Sequence, residues 1–252
     1  MARRAECSFG FTGGRDGGAL VRRHAVVAAS GQSGGVQARR ATLRGDERAR
    51  DRLMDTAILH ALNGFASHHD GVEDPLSLYV GASEILFAGA LALLVLAGGW
   101  MRRAAIAGGL AAGLALACGQ VVSRIVDRPR PFVADPAGVH LFARHVADAS
   151  FPSDHATAAF AIAVAVLLRN RRWGVVALAF ATLLAVGRVA LGLHYPSDVL
   201  GGALLGAGVS LLLFVTPMRA RIDALADAAG RLVDRVLPRR PLADRAAEPS
   251  RR

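Results

Sequence analysis

From residue 54 onward the chain is a series of apolar blocks separated by short polar breaks, and the length of each block decides what it can be. The first, MDTAILHALNGFA at 54–66, has interspersed polar residues and is too brief to cross a bilayer, so it predicts an interfacial helix. Five longer blocks follow, at Leu76–Trp100, Ala104–Val126, Pro152–Leu168, Trp173–Leu193 and Val199–Val215. They are apolar all round, unlike the one-sided helices of a soluble protein of this size. Against the ~20 residues that a ~30 Å hydrocarbon core requires, they read as membrane spans. The third and fifth are short, which places their N-terminal ends below the membrane surface, inside a bundle that offers polar company. Gly109 with Gly113, and Gly202 with Gly206, are spaced for close helix approach. The expected fold is all-α: an integral membrane bundle of about five spans plus an N-terminal interfacial helix, over residues 54–216.

Charge sharpens this picture. A net charge of +10 with 30 basic residues, all Arg, would ordinarily point to a polyanionic partner. However, residues 1–53 hold 11 Arg against five acids, residues 217–252 hold nine against five, and residues 54–216 hold ten of each. No folded basic surface remains, and a nucleic-acid-binding module is disfavoured. Residues 1–53, with nine Gly and no sustained period, are expected to be a disordered extension, and a start at Met54 would leave them out of the working protein. Residues 217–252 form a basic tail. Arg102-Arg103, the RNRR at 169–172 and the tail from Arg219 fall on one side of the threaded spans, which the positive-inside rule makes cytoplasmic. Residues 127–151 and the turn at 194–197 then share the external face. Two cysteines, Cys7 and Cys118, give no disulfide framework.

Three polar clusters gather on that external face: RPRPF at 128–132, SFPSDH at 150–155 and GRVALGLHYPSD at 187–198. Ionisable residues at the ends of apolar spans are costly unless paired or hydrated, which marks each cluster as a candidate site. Arg128 and Arg130 are separated by prolines on a stiff stretch, suited to presenting a guanidinium fork to phosphate or to anchoring at headgroup level. Pro152, Ser153, Asp154 and His155 read as a first helical turn, in which Ser and Asp either cap the helix or add to an anion site at its positive end. Pro-Ser-Asp recurs at 196–198. Arg188 lies six residues before His194, about 9 Å along a helix, and either anchors at the interface or points into the same chamber. Asp198 follows His194 by four residues across a proline turn, so its carboxylate can reach one ring nitrogen and leave the other free as a nucleophile. Glu84 lines the lipid access route, bonds a site Arg or sits at headgroup level. His24 falls in the extension, and His60, His68, His69, His140 and His145 read as polar or interfacial residues. A metal site from His68 and His69 is disfavoured, because adjacent helical residues do not face each other.

Together these clusters resemble the tripartite signature of the type 2 phosphatidic acid phosphatase superfamily, whose third motif is Ser-Arg, five residues, His, three residues, Asp. Arg188, His194 and Asp198 match that spacing. The run from Arg130 through FARHVADASFPSDH to RNRRWG is similar to the bacitracin-resistance branch, the membrane undecaprenyl-diphosphate phosphatases, and the resemblance covers about residues 54–220, including HALNGFASHH. Three positions depart from the superfamily. Ser123 stands where the first motif has Lys, with Arg124 or Arg128 available to supply the charge; Gly187 replaces a Ser; and Asp154 replaces the common Gly, as in the bacitracin-resistance branch.

The resemblance implies that His194 attacks the terminal phosphorus to form a phosphohistidine while Asp198 orients its ring. His155 would protonate the leaving lipid phosphate and then activate water. Arg130, Arg188, Ser153, Asp154 and the N–H groups at the start of the third span would hold the phosphoryl oxygens, with Arg124 or Arg128 auxiliary, and no cofactor or metal is expected. The implied activity is conversion of undecaprenyl diphosphate to the monophosphate on the external (periplasmic) face of the inner (plasma) membrane, which recycles the cell-wall lipid carrier and confers bacitracin resistance. The alternatives are a phosphatidic acid or phosphatidylglycerol phosphate phosphatase, and a non-catalytic lipid transporter or scaffold. The expected partners are the lipid diphosphate and the membrane, with no nucleic acid.

Overall fold

The computed structural model describes residues 50, 52–142 and 145–236. The expected disordered extension, including Cys7, lies outside the described residues apart from 50, 52 and 53, and so does the tail beyond Val236. The chain divides into two compact units after Leu53, and the second, Met54–Arg252, carries the helical bundle.

Every regular element described is helical: α1 (52–67), α2 (Asp70–Ala97), α3 (Gly99–Val126), α4 (Pro131–Ala134), α5 (Asp154–Leu167), α6 (Arg171–Ala190), α7 (Pro196–Val215) and α8 (Met218–Val236). Four stretches, α2, Gly99–Ala134 containing α3, α6 and α7, are long and apolar enough to cross a membrane, and the protein is a multi-pass helical bundle. The block expected as a fifth span at Val199 starts at Pro196 and reaches 20 residues, so α7 is full length. The third block is the short one. α5 has 14 residues, about 21 Å at 1.5 Å each, and stops short of the hydrocarbon thickness.

α5 is the bundle's centre, packed by α3, α6 and α7. Its interior faces are alanine-rich, with Ala156, Ala159, Ala161, Ala163 and Ala165 all buried. Small side chains allow backbones to approach where dispersion, rather than the hydrophobic effect, holds helices together. Gly202 and Gly206 on α7 meet the Ser153 and Thr157 backbone as their spacing predicts, and Ser210 donates to the Ala161 carbonyl at 2.6 Å one turn further on. Gly109 and Gly113 are different: neither has a neighbour where its Cβ would stand. The close face of α3 is instead Ala104, Gly108, Ala111, Ala115 and Gly119, whose i, i+3/i+4 pattern faces α5, and Gly109 falls one position off it.

α1 inverts the usual amphipathic arrangement. Asp55, Leu59, Asn63 and Ala66 form its buried face, while Met54, Ile58 and Phe65 are exposed. Asn63 donates to the Ala190 and His140 carbonyls and accepts from the His140 N–H, all at 2.8 Å, tying the loop at 127–151 to the end of α6. At the opposite end of the bundle, Arg103 makes a bidentate pair with Asp227 (2.9 and 3.0 Å), and Arg169 pairs with Asp223. The Arg102-Arg103 turn, Arg169 and the tail therefore do meet at one end. Part of the expected tail, Met218–Val236, is a docked helix rather than loose chain.

Candidate active site

His194 sits on the short connection between α6 and α7, 1% exposed, and its two ring nitrogens have opposite jobs. Nε2 faces Arg130 Nη1 and Arg188 Nη2, each at 3.1 Å. Guanidinium groups only donate, so Nε2 must be the unprotonated nitrogen. Nδ1 carries the proton and donates it to the Ser150 carbonyl at 2.9 Å. Burial, followed by the charges of Arg188 and Arg130, drives the imidazole down to about 4 against the opposing effect of Asp198, which keeps the ring neutral near pH 7. The result is a free nitrogen lone pair aimed between two cations.

Asp198 lies behind the ring but not in hydrogen-bond contact with it: Oδ2 is 3.8 Å from Nδ1. Ser150 stands between, its hydroxyl donating to Asp198 Oδ2 at 2.5 Å and lying 3.4 Å from Nδ1. The direct reach expected from the four-residue spacing is thus replaced by a relay through Ser150. The reason is local, because Asp198 is the third residue of α7 and spends Oδ2 on the Tyr195 N–H (2.9 Å) as well. The two Pro-Ser-Asp copies take different helical registers. α7 begins at its proline, whereas α5 begins at Asp154 after Pro152 and Ser153.

Arg128 also lies behind Asp198, not among the residues that line the cavity. It donates to Asp198 Oδ1 (2.9 Å), Ser197 Oγ (2.6 Å) and Asp55 Oδ2 (2.7 Å), and stacks 3.8 Å from the centre of the Tyr195 ring. These contacts occupy both its Nη atoms, so the structure separates Arg128 from Arg130 and Arg188, which line the cavity. Arg124 is exposed at the end of α3 and is likewise outside the lining, though its neighbour Ser123 is part of it.

In front of His194 opens a cavity of about 480 Å³ between α2, α3, α5 and α6. Its polar end brings together Arg130, Arg188, His194, Asp154 and His155; its other end is apolar, with Phe87, Leu91, Leu116 and Ile162. Ser153 is fully buried, makes no capping bond, and its hydroxyl has no partner; Arg188 Nε is also buried and unpartnered. Arg188 lines the cavity; Ser153 heads α5 between the lining residues Pro152 and Asp154 without being one of them, so its hydroxyl is an unmet donor at the positive end of the helix. Asp154 accepts from Gln120 Nε2 at 3.0 Å, and His155 Nε2 lies 3.2 Å from Glu84 Oε1. Glu84 therefore partners a histidine, and not a site Arg.

Two residues of the loop at 127–151 enter the site, both within the FARHVADASFPSDH run, although neither is singled out from it as a site residue. His145, which reads in the sequence as an ordinary polar residue, takes Arg188 Nη2 on its Nε2 at 3.1 Å, and burial together with Arg130 and Arg188 lowers its pKa. Asp148 accepts from Arg130 Nε at 2.6 Å; burial works to raise its pKa, but the Arg130 bond and charge outweigh this and the net shift is downward. Ser150, inside the SFPSDH cluster, and Asp55, at the start of the first apolar block, are likewise unmarked by spacing. Only an acid inside an apolar helix hints at Asp55. Among the described residues, no group of three or more His, Cys, Asp or Glu is placed to hold a metal ion.

The PAP2 superfamily profile matches residues 104–222, which includes Arg130, His155, Arg188, His194 and Asp198. The chain is 36% identical over 167 residues to the undecaprenyl-diphosphatase BcrC of Bacillus subtilis, covering 64% of this chain and 83% of that protein. It is 39% identical over 98 residues to the putative undecaprenyl-diphosphatase YbjG of Escherichia coli, covering 38% of this chain and about half (48%) of that one. Among solved structures, a PAP2-type phosphatidylglycerolphosphate phosphatase from Bacillus subtilis superposes with a TM-score of 0.51 at 22% identity, over 65% of this chain and 84% of that one, a likeness of fold.

Proposed function

The chain belongs to the PAP2 superfamily, and on that premise we propose that it is a membrane lipid phosphatase that hydrolyses undecaprenyl diphosphate to undecaprenyl phosphate. The observation that carries the chemistry is His194 Nε2, deprotonated and held 3.1 Å from both Arg130 and Arg188. A phosphoryl group entering between the guanidiniums places its phosphorus against that lone pair and its oxygens against the two forks, Ser153 Oγ and the first N–H groups of α5.

Nε2 attacks the terminal phosphorus, forming an N–P bond as the bond to the lipid phosphate oxygen breaks. His155 gives a proton to that leaving oxygen. Charge developing on His194 is stabilised through Nδ1–H, the Ser150 carbonyl and the Asp198 carboxylate behind it. His155 then takes a proton from water as its oxygen attacks the phosphohistidine, which releases inorganic phosphate. Fixed cations supply what a divalent ion supplies in other phosphoryl transfers, so the reaction proceeds without metal. The apolar end of the cavity receives the start of the isoprenoid chain, with the site on the external face of the plasma membrane and residues 54–216 carrying the activity. Carrier recycling and bacitracin resistance follow from this reaction.

The test is phosphate release in detergent from undecaprenyl diphosphate, phosphatidic acid and phosphatidylglycerol phosphate, with chelator present. Preference for the isoprenoid diphosphate is expected. Preference for either glycerolipid would overturn the substrate, loss of turnover with chelator the metal-free route, and unchanged turnover by His194→Ala the nucleophile. A chain starting at Met54 should be fully active, and its expression should raise bacitracin tolerance.

A further inference from the structure

Glu84 is an ionisable residue in an unusual place. It lies in the apolar run SEILFAGALALLVLA of α2, 13 residues from the helix end at Ala97, or about 20 Å along the axis. His155 is 12 residues from the end of α5 at Leu167, about 18 Å. Both helices end on the Arg-rich side, so the two side chains stand at a similar height along apolar helices. A carboxylate within an apolar span is expensive unless it is paired or hydrated. Glu84 nevertheless has 78% of its side chain exposed, lines the cavity and places Oε1 3.2 Å from His155 Nε2.

The groups around His155 define what such a carboxylate does. Arg188 comes from α6, Arg130 from the segment before α4, His194 from the α6–α7 turn and His145 from the loop at 127–151, with Asp154 adjacent on α5 and Asp148 further along the loop. Two of these are permanent cations. An imidazole that must carry a proton into the reaction stands opposite them, and Glu84 is the acid in ion-pair contact with it.

We propose that Glu84 is the positioning residue for the general acid, resting on the phosphatase reading of this site. Its carboxylate accepts Nε2–H of His155, which fixes the ring and supports the imidazolium, and the mobile proton is the one on Nδ1. In the first step that proton moves to the leaving oxygen as the P–O bond breaks and the His194 N–P bond forms. In the second, Nδ1 takes a proton from water as the water oxygen bonds to phosphorus and the N–P bond breaks. Glu84 itself exchanges no proton with the substrate.

Leaving-group dependence isolates this role. Full-length wild type, Glu84→Gln and Glu84→Asp are compared on a long-chain alkyl phosphate, whose alkoxide leaves poorly without a proton, and on p-nitrophenyl phosphate, whose phenolate leaves unaided. General acids contribute about 10²–10⁴-fold, so loss of the positioning group should cost at least about tenfold in kcat/KM on the alkyl ester. Glu84→Gln should lose that factor in kcat/KM on the alkyl ester and stay within about twofold in kcat/KM on the aryl ester, because kcat/KM reports only formation of the phosphohistidine and not the water step the two esters share; Glu84→Asp should recover part of the alkyl activity. The basic limb of the kcat/KM profile on the alkyl ester should also move to lower pH in Glu84→Gln. Equal losses on both esters, or no loss on either, would overturn the role of Glu84 while leaving the phosphatase reading standing. No phosphate release by wild type from any phosphate ester would overturn both.

Discussion

Replacing Arg128 with Gln separates two roles that adjacency in the RPRPF motif leaves indistinguishable. If Arg128 held substrate phosphate, its loss would raise KM and leave the fold intact. The structure places it instead between two buried carboxylates, Asp198 at 0% and Asp55 at 8% exposure, with 25% of its own side chain exposed. Removing one partner of a buried pair strands the other, at about 3–5 kcal/mol where no other donors remain. Here Asp198 keeps Ser150 Oγ and the Tyr195 N–H, and Asp55 keeps the Ser197 N–H and Oγ. Those remaining donors, and the partial exposure of Arg128, bring the expected loss to about 1.5–3 kcal/mol, the range for hydrogen bonds to charged groups. Catalysis should fall as well, because Asp198 loses the cation that holds it behind His194: about 10–100-fold in kcat, with KM within about twofold, a magnitude in keeping with one supporting electrostatic contact. Thermal unfolding in detergent and Michaelis kinetics on one preparation measure both quantities. A tenfold rise in KM with the unfolding temperature unchanged would refute the supporting role and return Arg128 to the phosphate site.

Ser150→Ala removes the hydroxyl between Asp198 and His194 but keeps the carbonyl that accepts Nδ1–H; kcat should drop about tenfold with KM little changed, and wild-type kcat would show that the relay is idle. His194 must be unprotonated at Nε2 to attack, and burial with the two arginines holds it down at about 4. The kcat/KM profile, corrected for substrate ionisation, should therefore stay level as pH falls from neutrality and be lost only through about pH 4, whereas a His194-dependent acid limb near 6.5 would contradict the geometry. Gly206→Ala places a methyl group against the Thr157 carbonyl and the Ala161 N–H at the α5–α7 crossing, and should destabilise by about 1–3 kcal/mol in a detergent melt; an unchanged melt would mean the helices part freely there.

Helical character and the chemically decisive side chains are legible along the chain for specific reasons. Apolar runs of about twenty residues have few other solutions in a protein of this size, and Arg188, His194 and Asp198 lie within one connection and its flanking turns, where spacing converts directly into proximity. Ser150, His145 and Asp148 are of another kind. They sit on a loop with no period, and His145 and Asp148 gain meaning only from an arginine each meets: His145 from Arg188, 43 residues away, and Asp148 from Arg130, 18 residues away. Asp55 is more remote still, reaching Arg128 and Ser197 across 73 and 142 residues. Glycine spacing misleads for a related reason. Gly109 and Gly113 repeat at the right interval, but which face of α3 turns toward α5 depends on how the helix is rotated, and that is set by the whole alanine face packed against Ile162 and Ala165.

The sequence alone, then, determined that this is a membrane helical bundle and that its polar clusters collect at one end and its arginine-rich turns at the other; the grouping of His194, Asp198, Arg130 and Arg188 into one proposed site came from the family resemblance. The bundle and its two ends are properties of composition, period and short-range spacing, which are fixed once the chain is written. Only the tertiary structure decided how the shared charges are divided: Arg130 and Arg188 to the front of His194, Arg128 to the back of Asp198, Ser150 between them, and Glu84 to His155. Arginine forks and carboxylates are interchangeable in a sequence pattern. In a site from which most water is excluded, each fork can satisfy only the acceptors it physically reaches, and the packing of α3, α6 and α7 around α5 determines which those are.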